Sequence, residues 1–392
     1  LSRQLARLPA MPSAVDFFEK YWNIRPFVVE NAVPAEAVNA LISADELAGL
    51  ALEENAISRI VETPGNGGNW TCRYGPFSEN DFSALDDQGW SLLVGNVEQF
   101  HPPTAKLLRF FNFAPRWMLD DVMVSYSARE GSVGPHLDSY HVFLLQGQGG
   151  RRWKVADQVM LIEDWLDGTE LKVLSKDFVG DEVDLKTGDV LYIPPNFPHQ
   201  GVTLKAALTY SVGFLGPKAS ELFSAYGAWL ARHEAMDERF TGQELTASDQ
   251  GFAISATAAE GAGRFLQEKI YAKPFRQWLA EFFSESSHQD FGRFLKRDQP
   301  VTVENMHARL QTGAGLIKPE YVKMLISHIK DDLYYLGVDG HGFELNTISA
   351  SVMMVLSSEQ ELNLSSVPEL DKDKRTLRLV CQLYNREILQ FV

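Results

Sequence analysis

Cysteine is nearly absent from this 392-residue chain. There are two, Cys72 and Cys381, far apart in sequence. That number excludes a disulfide framework, and a reducing cytoplasm is the simplest setting. No run of roughly 18 or more apolar residues occurs, so no membrane span is expected. No signal-peptide pattern stands at the start. Basic residues are the minority: 36 Lys and Arg face 52 Asp and Glu, for a net charge of −16. Such a chain repels nucleic acid and attracts basic partners, Lys/Arg-rich proteins among them. Internal repeats and low-complexity tracts are lacking, which removes solenoids and linker-like segments. What remains is a globular composition, 45% hydrophobic and 11% aromatic, long enough for two or three domains.

The N-terminal part mixes short helices and strands. Phe17 to Trp22 has helical apolar spacing, and Arg25 to Val29 switches to a strand. Ser43 and Glu46 form a capping-box pattern that opens a helix. Ile57 to Val61, Trp70 to Tyr74 and Ser91 to Val94 read as strands, with a hairpin turn at residues 66–69. From Asp121 to Phe214 the chain is strand-rich: Asp121 to Ser127, Val142 to Leu145, Arg151 to Val155, Val190 to Ile193 and Leu208 to Phe214. Many short strands separated by turns indicate a sandwich or barrel.

Within that region lies His136-Leu137-Asp138, followed 61 residues later by His199 in Gly-Asp-Val-Leu-Tyr-Ile-Pro-Pro-Asn-Phe-Pro-His. Side chains two apart on an extended strand share a face, so His136 and Asp138 can bind one ion together. Gly188-Asp189 marks a tight turn, Val190 to Ile193 a buried strand, and Pro194-Pro195 its end, with His199 in a constrained loop. A lone H-x-D is usually an ordinary turn or strand. Joined to the second motif, it follows the order by which a double-stranded β-helix gathers three ligands. Two imidazoles and a carboxylate on one side of a metal suit non-haem Fe(II) and O₂ chemistry. His141 has odd spacing and faces away; His101 reads as a capping or loop residue. His233, His288, His307, His328 and His341 read as structural or solvated.

After Gly216-Pro217 the character changes. Ser220 to Arg232 and Gly263 to Ser284 carry helix-period apolar residues, including Trp229, Phe275, Trp278 and Phe282. Packing within the chain and dimerisation both account for so much aromatic surface; a homodimer is the expectation. Further on, Glu304 to Leu310, Pro319 to Lys330 and Thr347 to Leu356 read as helices, and Leu333 to Gly337 and Gly342 to Leu345 flank a turn at Asp339-Gly340. A winged-helix-like module fits. From Lys296 onward there are 11 Lys and Arg against 13 Asp and Glu. A DNA reader should show a basic face, so direct nucleic-acid binding is not expected.

Phe17 to Val29, Val133 to Asp138, Gly149 to Trp153 and Gly188 to His199 together resemble the JmjC-type bacterial ribosomal oxygenases. That group includes the arginine hydroxylase of ribosomal protein uL16 (L16). The resemblance spans the whole chain and is least specific in the tail. One departure is Gly150, where some relatives carry a third consecutive arginine. The fold it implies is α+β. A JmjC-type double-stranded β-helix (a cupin-like jelly roll) occupies residues 1–215, a helical dimerisation segment 216–295, and a winged-helix-like domain 296–392.

The chemistry it implies is a cytoplasmic 2-oxoglutarate-dependent dioxygenase. Fe(II) would be held by His136, Asp138 and His199, with 2-oxoglutarate and O₂ as co-substrates. Succinate, CO₂ and a hydroxylated protein would be the products. The distal carboxylate of 2-oxoglutarate then needs a cation, and guanidinium binds carboxylate bidentately. Arg151 shares strand parity with Trp153 and Val155, Arg152 with Lys154. Arg151 is therefore the inward residue, and it also aligns with the family's co-substrate arginine. Ser125 matches a co-substrate position. Asp120 and Ser211 match substrate-contact positions; solvation of a strand start is the bland alternative for Asp120 and its neighbour Asp121. The expected reaction is hydroxylation of an arginine of uL16, at Cβ by the resemblance. Rivals are histidine hydroxylation of another ribosomal protein, a different metal enzyme on the same barrel, and a non-catalytic cupin-like binding module. The intact triad and Arg151 count against the last two.

Overall fold

The structure is a computed structural model that describes residues 5–64, 69–161, 164–234, 236–249, 251–285, 297–358 and 360–392. The chain divides into two compact units, Leu1–Gly216 and Pro217–Val392. The turn expected at 66–69 lies outside the described residues apart from Asn69.

The first unit opens with β1 (Ala6–Leu8), α1 (Ala14–Lys20), β2 (Phe27–Val29), α2 (Ala35–Asn39) and α3 (Ala44–Leu50). Ser13 caps α1 through the Asp16 amide, and Ser43 and Glu46 form the expected capping box on α3. Next come β3 (Ser58–Glu62), β4 (Thr71–Tyr74), α4 (Glu79–Ser83), β5 (Trp90–Val94), α5 (Val97–Phe100) and α6 (Pro102–Ala105). His101 caps α6 through the Thr104 amide. The remaining strands are β6 (Leu119–Ser127), β7 (His141–Gln146), β8 (Gly150–Ala156), β9 (Gly180–Lys186), β10 (Val190–Ile193), β11 (His199–Lys205) and β12 (Ala207–Phe214).

Nine strands form one sheet in the order β1-β2-β10-β7-β12-β6-β5-β3-β4, and three form a second, β11-β8-β9. Alternation decides what each face does. Phe143 and Leu145, Tyr192, and Tyr210 and Val212 pack with Phe17, Leu47, Leu107 and Phe111 in the main core. Their neighbours Val142, Leu144, Leu191 and Ile193 turn the other way, against Trp153, Val155, Val183 and Leu185 of the small sheet. The central strands are thus buried on both faces, and this explains their continuous apolar runs. The fold is the double-stranded β-helix expected.

Two local expectations need correction. His136 to Asp138 is an extended segment that makes one isolated bridge, His136 to His199, rather than part of a regular strand. His199 does not sit in a loop; it is the first residue of β11, which pairs with β8.

The second unit contains α7 (Ala219–Arg232), α8 (Ala256–Tyr271), α9 (Lys273–Ser284), α10 (Val303–Gln311), β13 (Leu316–Ile317), β14 (Met324–Lys330), β15 (Leu333–Val338), β16 (His341–Leu345), α11 (Thr347–Ser357), α12 (Lys374–Asn385) and β17 (Gln390–Phe391). The helix expected from Pro319 to Lys330 is instead a strand. Met324 to Lys330 pairs antiparallel with β15, and Val322, Met324 and Ile326 alternate against its core. The helix expected over 263–284 is two helices. Ala272 is extended, and Pro274 fits only the first turn of α9. The Asp339-Gly340 turn joins β15 and β16 with both residues at positive φ.

The aromatic surface expected at a dimer interface is largely consumed within this unit. Tyr226, Trp229 and Trp278 are buried in one cluster, with Phe275 and Phe282 against it. Glu281 accepts from the Trp229 indole at 2.7 Å and from the Tyr335 hydroxyl at 2.5 Å, tying α7 and α9 to β15. Gly337 lets α9 approach: a Cβ there would lie 1.9 Å from the Ala280 carbonyl oxygen. Phe223, Phe252, Leu266 and Tyr271 remain exposed.

Candidate active site

His136 and His199 are held to each other before any ion is considered. The His136 amide donates to the His199 carbonyl at 3.0 Å, and the His199 amide donates back at 2.8 Å. The Asn196 amide donates to the Asp138 carbonyl at 2.7 Å, fixing the third residue to the loop that delivers His199. Gly134, at φ +85°, starts the extended segment; a side chain there would run into Val173 and Trp70.

One potential ligand atom from each of His136, Asp138 and His199 lies within 4.8 Å of the others. Asp138 Oδ2 stands 3.9 Å from His136 Nε2 and 3.6 Å from His199 Nε2. Both Nδ1 atoms face backbone carbonyls, His136 to Gly134 at 2.9 Å and His199 to Phe197 at 3.0 Å. Those contacts place the ring proton on Nδ1 and leave an Nε2 lone pair on each ring. Burial, then neighbouring His136, pulls the His199 imidazole down to about 4, so it is neutral near pH 7. Two imidazole nitrogens and one carboxylate, converging with backbone-oriented rings, fit a divalent ion.

The triad opens on a cavity of about 430 Å³. β8 sends Arg151, Trp153 and Val155 inward. Outward, Arg152 makes a bidentate pair with Asp184 at 2.6 and 2.8 Å, and Lys154 reaches Asp177 at 2.7 Å. Arg151 is 4% exposed and lines the cavity. Among the described residues its hydrogen bonds are two long ones, 3.4 Å to Thr209 Oγ1 and 3.4 Å to the Gly201 carbonyl, and its Nε has no partner. Among the described residues no carboxylate pairs with it. Burial pulls its guanidinium down to about 10, which still leaves it charged at neutral pH. A buried cation without an anion is costly, and a carboxylate-bearing ligand removes that cost.

Ser125 stands opposite Thr209 in the β6–β12 register, on the same cavity wall as the Arg151 contact. Asp120, Asp121, Tyr140 and Ser211 also line the cavity. Asp121 lies four residues from Ser125, roughly 13 Å along an extended strand. Arg151 thus stands toward one end of the cavity and Asp120 and Asp121 toward the other, with Arg59 also lining it and the triad facing the same space. Burial, then Asp120, raises the Asp121 carboxyl to about 7. Behind it, burial and Asp121 raise Glu98 to about 8; Glu98 accepts from the Val122 amide at 2.9 Å.

The sequence pointed to no role for Glu98 or for the cavity-lining Tyr140 and Arg59. Tyr140 follows Asp138 by two and could have been found by the same parity. Glu98 carries no sequence signal, because its burial depends on α5 packing against β6. His141 is outside the cavity: it bonds Tyr192 at 2.8 Å and stacks on Trp22.

Residues 106–222 match the family model for the JmjC domain, and residues 267–390 that for a ROXA-like winged helix. The ribosomal protein uL16 3-hydroxylase of Escherichia coli (strain K12) is 32% identical over 373 residues, covering 94% of this chain and 95% of that protein. A probable ribosomal oxygenase of Haemophilus influenzae is 28% identical over 375 residues, covering 90% of this chain and 88% of its own. Among solved structures, E. coli ycfD superposes with a TM-score of 0.84 at 30% identity and full coverage of both chains. The E. coli ribosomal oxygenase YcfD in complex with cobalt and 2-oxoglutarate gives 0.80 at 30% identity over 99% of each chain.

Proposed function

The chain belongs to the JmjC-type bacterial ribosomal oxygenases, and from that premise we propose that it is an Fe(II)- and 2-oxoglutarate-dependent hydroxylase acting on an arginine of ribosomal protein uL16. One observation carries the reading: a His-Asp-His cluster shares a cavity with a buried guanidinium that has no carboxylate partner among the described residues.

His136, Asp138 and His199 hold the metal through Nε2, Oδ2 and Nε2. Asp138 contributes the one negative charge among them. With O₂ and 2-oxoglutarate, the iron supplies the oxidising power to replace a C–H bond by C–OH. Arg151 binds the distal carboxylate of 2-oxoglutarate, with the Ser125 hydroxyl on the adjoining wall. The small sheet closes that end against water, since Trp153, Val155, Val183 and Leu185 are buried there. At the other end Asp120 and Ser211 receive the substrate, and Asp121 and Tyr140 adjoin them. An acidic group that grips a guanidinium fixes its distance from the metal, so a carbon nearer the peptide backbone is presented for attack. The net charge of −16 favours encounter with a basic ribosomal protein.

We assign the protein to the cytoplasm, where ribosomal proteins are met; among the described residues no helix is long and apolar enough to cross a membrane. We also assign a homodimer, now through the exposed Phe223, Leu266 and Tyr271 rather than the buried Trp229 and Trp278. Residues 1–215, 216–295 and 296–392 are our division into oxygenase, helical and winged-helix-like parts.

The test is a set of uL16 peptides incubated with the enzyme, Fe(II), 2-oxoglutarate and O₂. Addition of one oxygen to an arginine supports the reading. An inert arginine peptide beside a modified histidine peptide from another ribosomal protein transfers the chain to the histidine hydroxylases.

A further inference from the structure

Trp153 occupies a position that neither the metal nor the guanidinium explains. Its side chain lines the cavity and is 4% exposed. Its ring centre lies 5.1 Å from the Arg151 guanidinium carbon and 6.1 Å from the centre of the His199 ring. It therefore adjoins both the guanidinium and a triad imidazole, the two groups that a bound 2-oxo dicarboxylate must span. Gly201, opposite it in the β8–β11 register, leaves room for the ring; a Cβ there would meet three ring carbons at 2.9–3.0 Å. The indole is thus fixed against β11 and cannot turn freely.

Its Nε1–H is buried and has no acceptor among the described residues. Buried donors are normally paired, and leaving one unpaired costs about 1–3 kcal/mol. Arg151 Nε shares the same condition on the same strand face. Two unpaired donors on one wall, one of them cationic, call for a ligand rich in acceptor oxygens.

We propose that Trp153 is a co-substrate-binding residue: its indole N–H donates to a carboxylate oxygen of 2-oxoglutarate while its ring holds the Arg151 guanidinium in place. This rests on the 2-oxoglutarate reading above. The Arg151 side chain supplies charge, and Trp153 supplies direction. An indole donor has one fixed N–H vector, whereas a guanidinium offers several.

The test uses full-length protein loaded with Zn(II), a diamagnetic ion that permits binding without turnover, and labelled with ¹⁵N at tryptophan. Titration with 2-oxoglutarate is followed through the indole N–H resonances and, separately, by calorimetry. The Trp153 resonance, assigned by its loss in Trp153→Phe, should move downfield on saturation. Trp153→Phe keeps a ring on Arg151 but lacks the donor, and its Kd for 2-oxoglutarate should rise about tenfold or more. Where Trp153→Phe does not fold, single Trp→Phe changes at the other seven tryptophans assign the resonance by elimination. A Trp153 resonance that stays still while the wild type saturates, or unchanged affinity in a folded Trp153→Phe, overturns the proposal. Wild-type protein that binds no 2-oxoglutarate overturns the co-substrate reading itself.

Discussion

Arg151 and Arg152 are consecutive on β8 and point to opposite sides of the small sheet: Arg151 is sealed into the cavity wall, and Arg152 lies outside against Asp184. The same side chain thus has two different environments one residue apart, and strand alternation alone separates them. Substituting Arg151 by Met should weaken 2-oxoglutarate binding by about a hundredfold, because a desolvated charge pair is lost. Arg152→Ala should change it less than about threefold, since an exposed pair contributes little. Calorimetry on the two variants decides this, and comparable losses in both would remove Arg151 from its role as the clamp.

The triad makes a separable prediction. His136→Ala, Asp138→Ala and His199→Ala should each abolish stoichiometric binding of Fe(II), measured anaerobically, and abolish turnover. Circular dichroism should show each variant still folded, because β8, β10 and β12 keep their pairing without the side chains. Asp138→Ala is the most informative, since it leaves a dication with neutral ligands only. Retained binding in any one variant would exclude that residue from the site.

Gly201 should tolerate no side chain. Gly201→Ala pushes a methyl group into the Trp153 ring, and such overpacking costs about 1–3 kcal/mol. A lower urea midpoint together with weaker 2-oxoglutarate binding is expected. Unchanged stability would mean the indole has room to move.

Legibility in the sequence followed the range of the physics. β7, β10 and β12 are readable because both faces are buried and their apolar runs are local. The triad is readable because a strict two-residue spacing and a Pro-Pro loop are also local. β9 is not: Asp181, Glu182 and Asp184 give Gly180–Lys186 the look of a polar loop, and only Val183 and Leu185 turn inward. β14 shows helical as well as alternating spacing, and its pairing with β15 decides between them. The acidic end of the cavity is least readable, because Glu98 and Asp121 meet through packing between α5 and β6.

Glu98 gives a prediction about stability and pH. Its folded carboxyl is raised from 4.5 to about 8, by burial first and by Asp121 second. A carboxyl raised on folding binds its proton more tightly in the native state. Between about pH 4.5 and 8 the unfolded chain releases a proton that the folded chain keeps. Stability therefore falls as pH rises through that window, and below it the effect vanishes. Glu98→Gln keeps an oxygen for the Val122 amide and cannot ionise. At pH 9 the variant should be more stable than wild type by about 1–3 kcal/mol. At pH 5 most of that gain should be gone. Asp121, itself raised to about 7 by burial and by Asp120, remains in both proteins, so most of its own contribution cancels in the difference. Urea unfolding of the pair at pH 5, 7 and 9 measures the trend. A gain that does not grow with pH would show that Glu98 is ionised in the folded protein, and that the acidic end carries one more negative charge than the packing implies.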